Sequence, residues 1–324
     1  MNSSKKSILN SNFTYLAAFV LPVIMMMALY YTRGIFPWGN ECYLRSDMYH
    51  QYAPFFSELW HKIRNGESLT YSWNIGMGTN FTSLFAYYLA SPSNWFVALF
   101  PQKYTIEIMN AFIILKIAGS SLSLTYYLTK HNNNKHVIAA IFGMFYGMSG
   151  FIAAYSWNIM WLDGMIMLPL IVLGIERIFN KGDIKLYTLS MILLFFANYY
   201  MGYMSCIFAV IYFVAYFIIS YKNDGKLNPN AKFEKKYSTK ALMNNTFINR
   251  GIKFAFASII AAMFCAITLI PVFMILKNSS ATSGTFPDTF TSYFDILDFI
   301  TSHFAILETT IRSSGDNVLP NVYT

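Results

Sequence analysis

The chain has 324 residues, of which 56% are hydrophobic, 19% aromatic and only 12% charged. Soluble domains average about 25% charged residues, so this composition leaves too little charge to cover a water-soluble globule of this size. A soluble enzyme, a disordered protein and an ordinary nucleic-acid-binding module are therefore excluded, and a membrane protein is predicted. The three cysteines are too few and too scattered for a disulfide framework or a metal site.

Seven stretches of the chain are apolar and long enough to cross a bilayer, which takes about 20 residues for each helix. The fifth and sixth lie in one uncharged run, which we expect to divide at Asn198–Gly202 into two short spans. The sequence therefore predicts an all-α polytopic membrane protein with about seven transmembrane helices. The predicted spans are Phe13–Tyr31, Ile108–Thr129, Val137–Tyr155, Gly164–Phe179, the two halves of Leu186–Tyr221, and Phe254–Leu276.

The distribution of charge predicts the orientation in the membrane. With the N-terminus inside, the cytoplasmic segments hold 15 of the 23 lysines and arginines but only 4 of the 15 acidic residues. Cytoplasmic loops carry an excess of Lys and Arg, which favours this orientation over the opposite one. The formal charge of +8 is then a sign of topology, and no nucleic-acid partner is expected. The loop 32–103 and the tail 277–324 are predicted to lie outside.

The long first external loop is predicted to carry amphipathic surface helices. One apolar face has helical spacing and ends before Asn65–Gly66, a typical C-terminal stop, so we expect a helix on the outer surface of the bilayer. The face consists of Tyr52, Phe55, Phe56, Leu59 and Ile63, whereas Glu58, His61 and Lys62 lie away from it. A second stretch, Phe81–Phe100, has Pro92 near its middle, which disfavours one straight helix and favours a re-entrant or surface hairpin.

Three ionisable residues stand out near the outer rim of the membrane. Asp47 follows the first span and Asp163 lies at the outer end of the fourth, which places both carboxylates where they could face one external cavity. Each also has an ordinary explanation as a helix cap or, in Asp163-Gly164, as a turn residue. Lys116 lies in the second span, about 13 Å along the helix from Glu107 and on its opposite face. Such a lysine needs a carboxylate or a lipid phosphate as partner, unless it snorkels to the surface.

Several blocks of the sequence, in order, are distinctive and together cover most of the chain. They are Ser46–Tyr52, Tyr71–Phe81, Tyr87–Asn94, Trp161–Gly164 with Leu168–Pro169, Asn198–Gly202, and Leu319–Tyr323. These blocks resemble the N-terminal part of YfhO-type bacterial membrane proteins. Members of that family are longer and have more spans. The tail 277–324 is therefore expected to begin a region that continues in longer relatives, after a transmembrane domain at 1–276.

The resemblance implies a glycosyltransferase of the GT-C superfamily in the bacterial plasma membrane. Such enzymes take a sugar from a polyprenyl-phosphate donor at the outer face. YfhO-type proteins are associated with undecaprenyl phosphate as carrier and with teichoic or lipoteichoic acid of the Gram-positive cell wall as acceptor. In that superfamily one acidic residue follows the first span, and a second acidic motif follows the third on the external side. Asp47 and Asp163 match these positions and are the candidate catalytic residues.

The chemistry of sugar transfer assigns roles to the remaining candidates. Asp47 would take the proton from the acceptor hydroxyl while that oxygen attacks the sugar C1. A cation should neutralise the polyprenyl phosphate as it leaves. The candidates for this role are Arg45, Lys116 and, in the tail, His303. The candidate substrate contacts are His50, Gln51 and Tyr88. A divalent cation would need more oxygen ligands than the sequence identifies, so the metal requirement stays open.

Two other functions remain open from the sequence. A transporter or flippase for lipid or polysaccharide would suit the break at Asn198–Gly202 and an intramembrane lysine, but it predicts inverted repeats, which the sequence does not show. The second alternative function is that of a non-catalytic membrane scaffold in the glycosylation of the cell wall. The transferase interpretation places its acids at the outer rim, where Asp47 and Asp163 lie.

Overall fold

The computed structural model of the chain describes residues 2–44, 47–133, 137–222, 239–277 and 296–301, and nearly all of this is helix. One small antiparallel hairpin, β1 with β2, interrupts the loop 32–103 that is predicted to lie outside, here called the external loop. The α-helices are α1 Asn2–Thr32, α2 Ala53–Asn65, α3 Phe81–Leu84, α4 Thr105–His131, α5 Ile138–Gly147, α6 Gly150–Tyr155, α7 Leu162–Lys181, α8 Lys185–Ala197, α9 Tyr199–Lys222, α10 Thr239–Phe264, α11 Ala266–Lys277 and α12 Ile296–Thr301. The strands are β1 Tyr71–Ser72 and β2 Thr79–Asn80.

Six helical stretches of the described residues are long and apolar enough to span a membrane. Helices α8 and α11 are apolar but shorter, with 13 and 12 residues. The prediction of an all-α polytopic membrane protein is confirmed, and the fifth predicted span corresponds to the short helix α8. The six stretches are Asn12–Thr32, Gln102–His131, Ile138–Tyr155, Ile159–Lys181, Tyr199–Ser220 and Phe247–Phe264.

The last predicted span, Phe254–Leu276, is divided between α10 and α11, which meet at Cys265. Just after the break, the hydroxyl of Thr268 donates to the carbonyl of Cys265 at 2.9 Å. Pro271, inside α11, lacks the N–H that would continue the helical pattern. Both features bend or interrupt helices. Hydropathy alone did not predict the break, because the residues on both sides of it are apolar.

Helix α4 lies at the centre of the bundle because its small polar side chains let other helices approach closely. The hydroxyl of Ser121 donates to the carbonyl of Ala18 in α1 at 2.6 Å, and Tyr15 shares a 2.8 Å hydrogen bond with Thr129. These contacts make α1 antiparallel to α4. On α5, a Cβ at Gly143 would collide with the backbone of Ser121, so this packing requires a glycine.

The predicted amphipathic helix of the external loop is α2. It directly follows a π-helical turn, Met48–Tyr52, and ends at Gly66, whose left-handed conformation (φ +66°) caps the last turn. Phe56 and Leu59 are fully buried, and the ring of Phe56 packs on Phe112 of α4. The apolar face therefore packs against the protein itself rather than on the bilayer that the amphipathic pattern predicts.

The polar side of α2 is buried as well, although the sequence pattern places it away from the core. Glu58 and Lys62 are only 7% and 3% exposed. The carboxylate of Glu58 accepts hydrogen bonds from Ser72 at 2.6 Å and Asn74 at 3.0 Å, and Lys62 donates to two backbone carbonyls at 2.8 and 3.0 Å. Residues 68–74 thus cover this side of the helix and hold a buried ion pair whose nitrogen and oxygen are 3.7 Å apart.

The second stretch of the loop is broken in the middle, as Pro92 predicts. Helix α3 continues as a π-helical turn, Phe85–Leu89, and a 3₁₀ helix, Pro92–Leu99, follows. Trp95 and Phe96 are exposed on this 3₁₀ helix. Exposed aromatic side chains of this kind are typical of a segment that meets the membrane interface.

The burial of Glu58 generates a prediction about acid stability. Burial alone would raise the pKa of Glu58, but the hydrogen bonds from Ser72 and Asn74 and the charge of Lys62 outweigh it and lower the pKa. The ionised carboxylate therefore stabilises the folded loop above the ordinary glutamate pKa, and this stabilisation is lost as the pH falls through the lowered pKa. Glu58→Gln should lower the free energy of unfolding by about 1 to 3 kcal/mol near neutral pH. The thermal stability of this variant should also fall less steeply as the pH is lowered.

The measurement is thermal unfolding of the detergent-purified protein between pH 7 and pH 3. Glu67→Gln is the matched control, because Glu67 contacts the same lysine but is largely exposed. An acid profile of Glu58→Gln that coincides with that of the unmodified protein would contradict the prediction.

Candidate functional site

A buried ion pair joins α4 to α7 near the outer end of the bundle. The ammonium of Lys116 donates to the Oδ2 of Asp163 at 2.6 Å, and the two side chains are only 4% and 10% exposed. Lys116 therefore has the carboxylate partner that its position in the span calls for. Asp163 lies in the first turn of α7, where a negative charge is also favoured by the helix dipole.

The same ammonium also ties in two chain segments outside the helices. It lies 3.2 Å from the carbonyl oxygen of Ile159, in the turn before α7, and 3.4 Å from the hydroxyl of Ser91, just before the 3₁₀ helix of the external loop. Lys116 thus joins α4, the start of α7 and the external loop at one point. The charge of Lys116 is balanced within the protein by Asp163.

Asp47 lies at the head of the π-helical turn but makes no capping hydrogen bond. The interpretation of Asp47 as a helix cap is therefore not supported. The carboxylate instead acts on two tyrosines: burial raises the pKa of Tyr52, and the neighbouring Tyr88 and Asp47 raise it further. Burial, Tyr87 and Asp47 likewise raise the pKa of Tyr88. The charge of Asp47 thus acts on the phenols of both tyrosines and favours their protonated form.

Tyr52 connects the external loop to the segment before α7. Its hydroxyl donates to the Oδ1 of Asn158 at 2.7 Å, and its ring stacks on that of Trp157 with an angle of 11° between the planes. Asn158 is 3% exposed, and its Nδ2 has no hydrogen-bond partner among the described residues. Whichever way the amide is turned, one of its two polar atoms bonds Tyr52 and the other is left unpaired.

The aromatic cluster continues from Tyr52 to Tyr88 and Tyr87. The rings of Tyr52 and Tyr88 are 5.3 Å apart, and the hydroxyl of Tyr88 donates to the Oε1 of Gln51 at 3.2 Å. Two predicted substrate contacts, Gln51 and Tyr88, therefore touch each other. The third, His50, is exposed on the same turn and contacts the ring of Tyr49.

The predicted break at Asn198–Gly202 also reaches this cluster. The side-chain amide of Asn198 donates to the backbone carbonyl of Tyr87 at 2.7 Å, while its oxygen caps the N–H of Met201 at 2.8 Å. A Cβ at Gly164 would collide with the side chain of Met201, so the start of α7 packs directly against this turn. Asn198 thus both starts α9 and fixes the position of Tyr87.

A cleft of about 400 Å³ opens beside this region, at the outer end of α1. Its lining includes Arg33, Glu41, Tyr43 and Leu44. Arg33 is a cation at the outer rim that the sequence analysis did not single out, since nothing in its local pattern marks it. Two other predicted cations, Arg45 and His303, lie outside the described residues, so the structure gives no position for them.

Four of the sequence blocks therefore meet at one rim of the bundle. Asp47 and Tyr52 come from the block Ser46–Tyr52, Tyr87 and Tyr88 from Tyr87–Asn94, Asp163 from Trp161–Gly164, and Asn198 from Asn198–Gly202. In the part of the chain that the structure describes, no three His, Cys, Asp or Glu side chains come together as a metal site would require. Asn158 and Trp157 complete the site, although no repeat or charge pattern marked them in the sequence.

These features define a polytopic helical membrane protein with a polar and aromatic site at one rim of its bundle. The model of the family described as bacterial membrane protein YfhO matches residues 17–324. The chain therefore belongs to the YfhO family of bacterial membrane proteins. No curated protein and no solved structure has a significant match to it.

The buried ion pair generates a prediction about stability. Lys116→Met leaves the carboxylate of Asp163 buried without its partner, and Asp163→Asn leaves the ammonium of Lys116 buried without its partner. Each single change should lower the free energy of unfolding by about 3 to 5 kcal/mol. The double variant should lose less than the sum of the two, because neither charge is then left alone. Thermal unfolding in detergent measures the stability of all three variants.

Lys103→Met, at an exposed lysine before α4, is the control and should leave the thermal stability nearly unchanged. Additive losses in the double variant would show that the two side chains do not interact.

Proposed function

We propose that this protein transfers a sugar from a polyprenyl-phosphate donor to a cell-wall polymer at the outer face of the membrane. The observation that carries the proposal is the convergence of four separated sequence blocks on one rim, where Asp47 begins the turn that carries Tyr52 of the aromatic cluster. Membership of the YfhO family is compatible with such an activity. Because a polyprenyl chain lies in the bilayer while its sugar extends into water, a site at the membrane rim suits this donor.

Asp47 acts as the general base in this proposal. Its carboxylate takes the proton from a hydroxyl of the acceptor polymer as that oxygen attacks the sugar C1. The bond from C1 to the phosphate oxygen breaks, and the polyprenyl phosphate leaves with the electron pair. A direct displacement of this kind inverts the configuration at C1. The absence of a capping bond at Asp47 supports the assignment, because the carboxylate does not cap the turn that it begins.

The aromatic cluster supplies the surface for the sugar. The partly exposed rings of Tyr88 and Trp157, which pack on the buried ring of Tyr52, offer faces on which a sugar ring can stack, and the unpaired amide of Asn158 offers a hydrogen bond to a sugar hydroxyl. A buried amide atom without a partner costs about 1 to 3 kcal/mol, which a bound oxygen would recover. In this proposal, Asn158 both holds Tyr52 in place and contacts the substrate.

Lys116 and Asp163 act together as positioning residues. Since their charges balance each other, the pair fixes the start of α7, including Asn158, relative to the external loop. The leaving phosphate is then neutralised by a cation of the outer rim. Arg33 in the cleft beside Leu44 is the described candidate, together with Arg45 and His303.

The test is Asp47→Asn, expressed in a strain that lacks the gene for this protein. Loss of a general base lowers the rate by about 100-fold or more, so glycosylation of the wall polymer should fall to the level of the deletion strain. The measurement is the sugar content of purified teichoic and lipoteichoic acid, at matched protein levels in the membrane. Glu67→Gln, which removes an exposed acid of the same external loop, should restore glycosylation fully.

Two outcomes would contradict the proposal in different ways. Full glycosylation with Asp47→Asn would exclude Asp47 as the base. If the deletion strain loses glycosylation and Asp47→Asn, Tyr88→Ala and Asn158→Ala all restore it, the protein is a scaffold for another enzyme rather than the transferase.

A further inference from the structure

Two cationic side chains converge at the turn between α7 and α8, at the end of the bundle opposite the candidate site. Gly182 ends α7 in the left-handed conformation (φ +71°). A Cβ at Gly182 would collide with both the Nη1 of Arg250 and the Nζ of Lys253. The two positive groups therefore lie over the same small area. They come from α10, where a spacing of three residues places them on one face of the helix.

The described residues provide no acid for this pair. None of their carboxylates lies within 4.0 Å of Arg250 or Lys253. Asp183, next to the turn, instead accepts a hydrogen bond from the backbone N–H of Lys185 at 3.1 Å. Lys253 donates to the carbonyl of Gly182 at 3.4 Å, which occupies one of the three donors of its ammonium. Within the described part of the chain the two neighbouring cations thus lack an acid, and an anion between them would remove their repulsion.

The position of the pair indicates which anion it meets. Gly182, over which the two cations lie, directly follows the span Ile159–Lys181. On α10, an uncharged apolar run begins at Phe254, directly after Lys253. Cations at the junction between apolar spans and polar chain lie at the level of the lipid headgroups.

An exposed apolar stripe continues from Lys253 along α10. Phe256 and Phe264 are 56% and 70% exposed, and they lie three and eleven residues after Lys253, on the same side of the helix. A lipid has both parts that these surfaces fit, a charged phosphate and an acyl chain. A free anion would use only the cations.

We propose that Arg250 and Lys253, at the Gly182 turn, bind the phosphate of an anionic phospholipid whose acyl chain lies along this stripe of α10. Basic pockets between transmembrane helices are a recurring way to hold such headgroups. The site is separate from the proposed sugar-transfer site and does not depend on the protein being a transferase. The lipid would fasten α10 to the α7–α8 turn.

The test uses the detergent-purified chain and native mass spectrometry, with phosphatidylglycerol as the probe and phosphatidylcholine as the uncharged comparison. Phosphatidylglycerol should bind in preference, and Arg250→Gln/Lys253→Gln should weaken its apparent affinity about thirty-fold, at about fivefold for each cation lost. The matched control is Lys181→Gln/Lys185→Gln, which removes the same charge from exposed positions of the same turn and should leave the affinity within about twofold.

Each other outcome overturns the proposal in a defined way. Equal losses in both double variants would mean that only the general positive charge of this end attracts lipid. Unchanged binding in Arg250→Gln/Lys253→Gln would exclude the site. If sodium phosphate competes fully with the lipid, the site binds a free anion and the acyl chain plays no part. Should the double variant fail to fold, Arg250→Lys/Lys253→Arg keeps both charges and must retain the preference for phosphatidylglycerol.

Discussion

The structure depends on the buried ion pair between Lys116 and Asp163. A charge at this depth in the bundle is tolerated only when it is paired, and breaking such a pair costs about 3 to 5 kcal/mol. Because the same ammonium reaches Ile159 and Ser91, the pair aligns α4, α7 and the external loop at once. The segment before α7 is thereby held where Asn158 meets Tyr52. The polar core of the outer rim is thus assembled by one electrostatic constraint inside an otherwise apolar bundle.

The external loop is built as a second small core on top of the helices. Phe56 and Leu59 pack against the helical bundle, while Glu58 and Lys62, on the other side of α2, bind residues 68–74. This two-sided burial packs α2 between the bundle and residues 68–74, and Asp47 begins the turn that leads into this helix. A loop packed in this way at the rim suits chemistry on a substrate of which one end lies in lipid and the other in water.

The sequence predicted the helical class, most of the spans and the end of α2, because these depend on hydropathy and on local rules such as the glycine cap. It also singled out Lys116 and Asp163, since charges are scarce in this chain. It did not predict that they pair, because nothing in their spacing reports a contact between distant helices. The burial of Glu58 was missed for the same reason. Asn158 carries no local signal at all, and only the fold shows that its amide faces Tyr52.

Photo-cross-linking from position 88 tests the central claim, that the sequence blocks form one donor site, most directly. A photoreactive phenylalanine analogue replaces Tyr88 in the purified protein, and a second sample carries it at Phe264, an exposed position on the membrane-facing side of α10. Polyprenyl-phosphate sugar with a radiolabel in the sugar is the probe. The account predicts labelling at position 88 that excess unlabelled donor abolishes, and little at position 264. Equal labelling at both positions, insensitive to competitor, would contradict it.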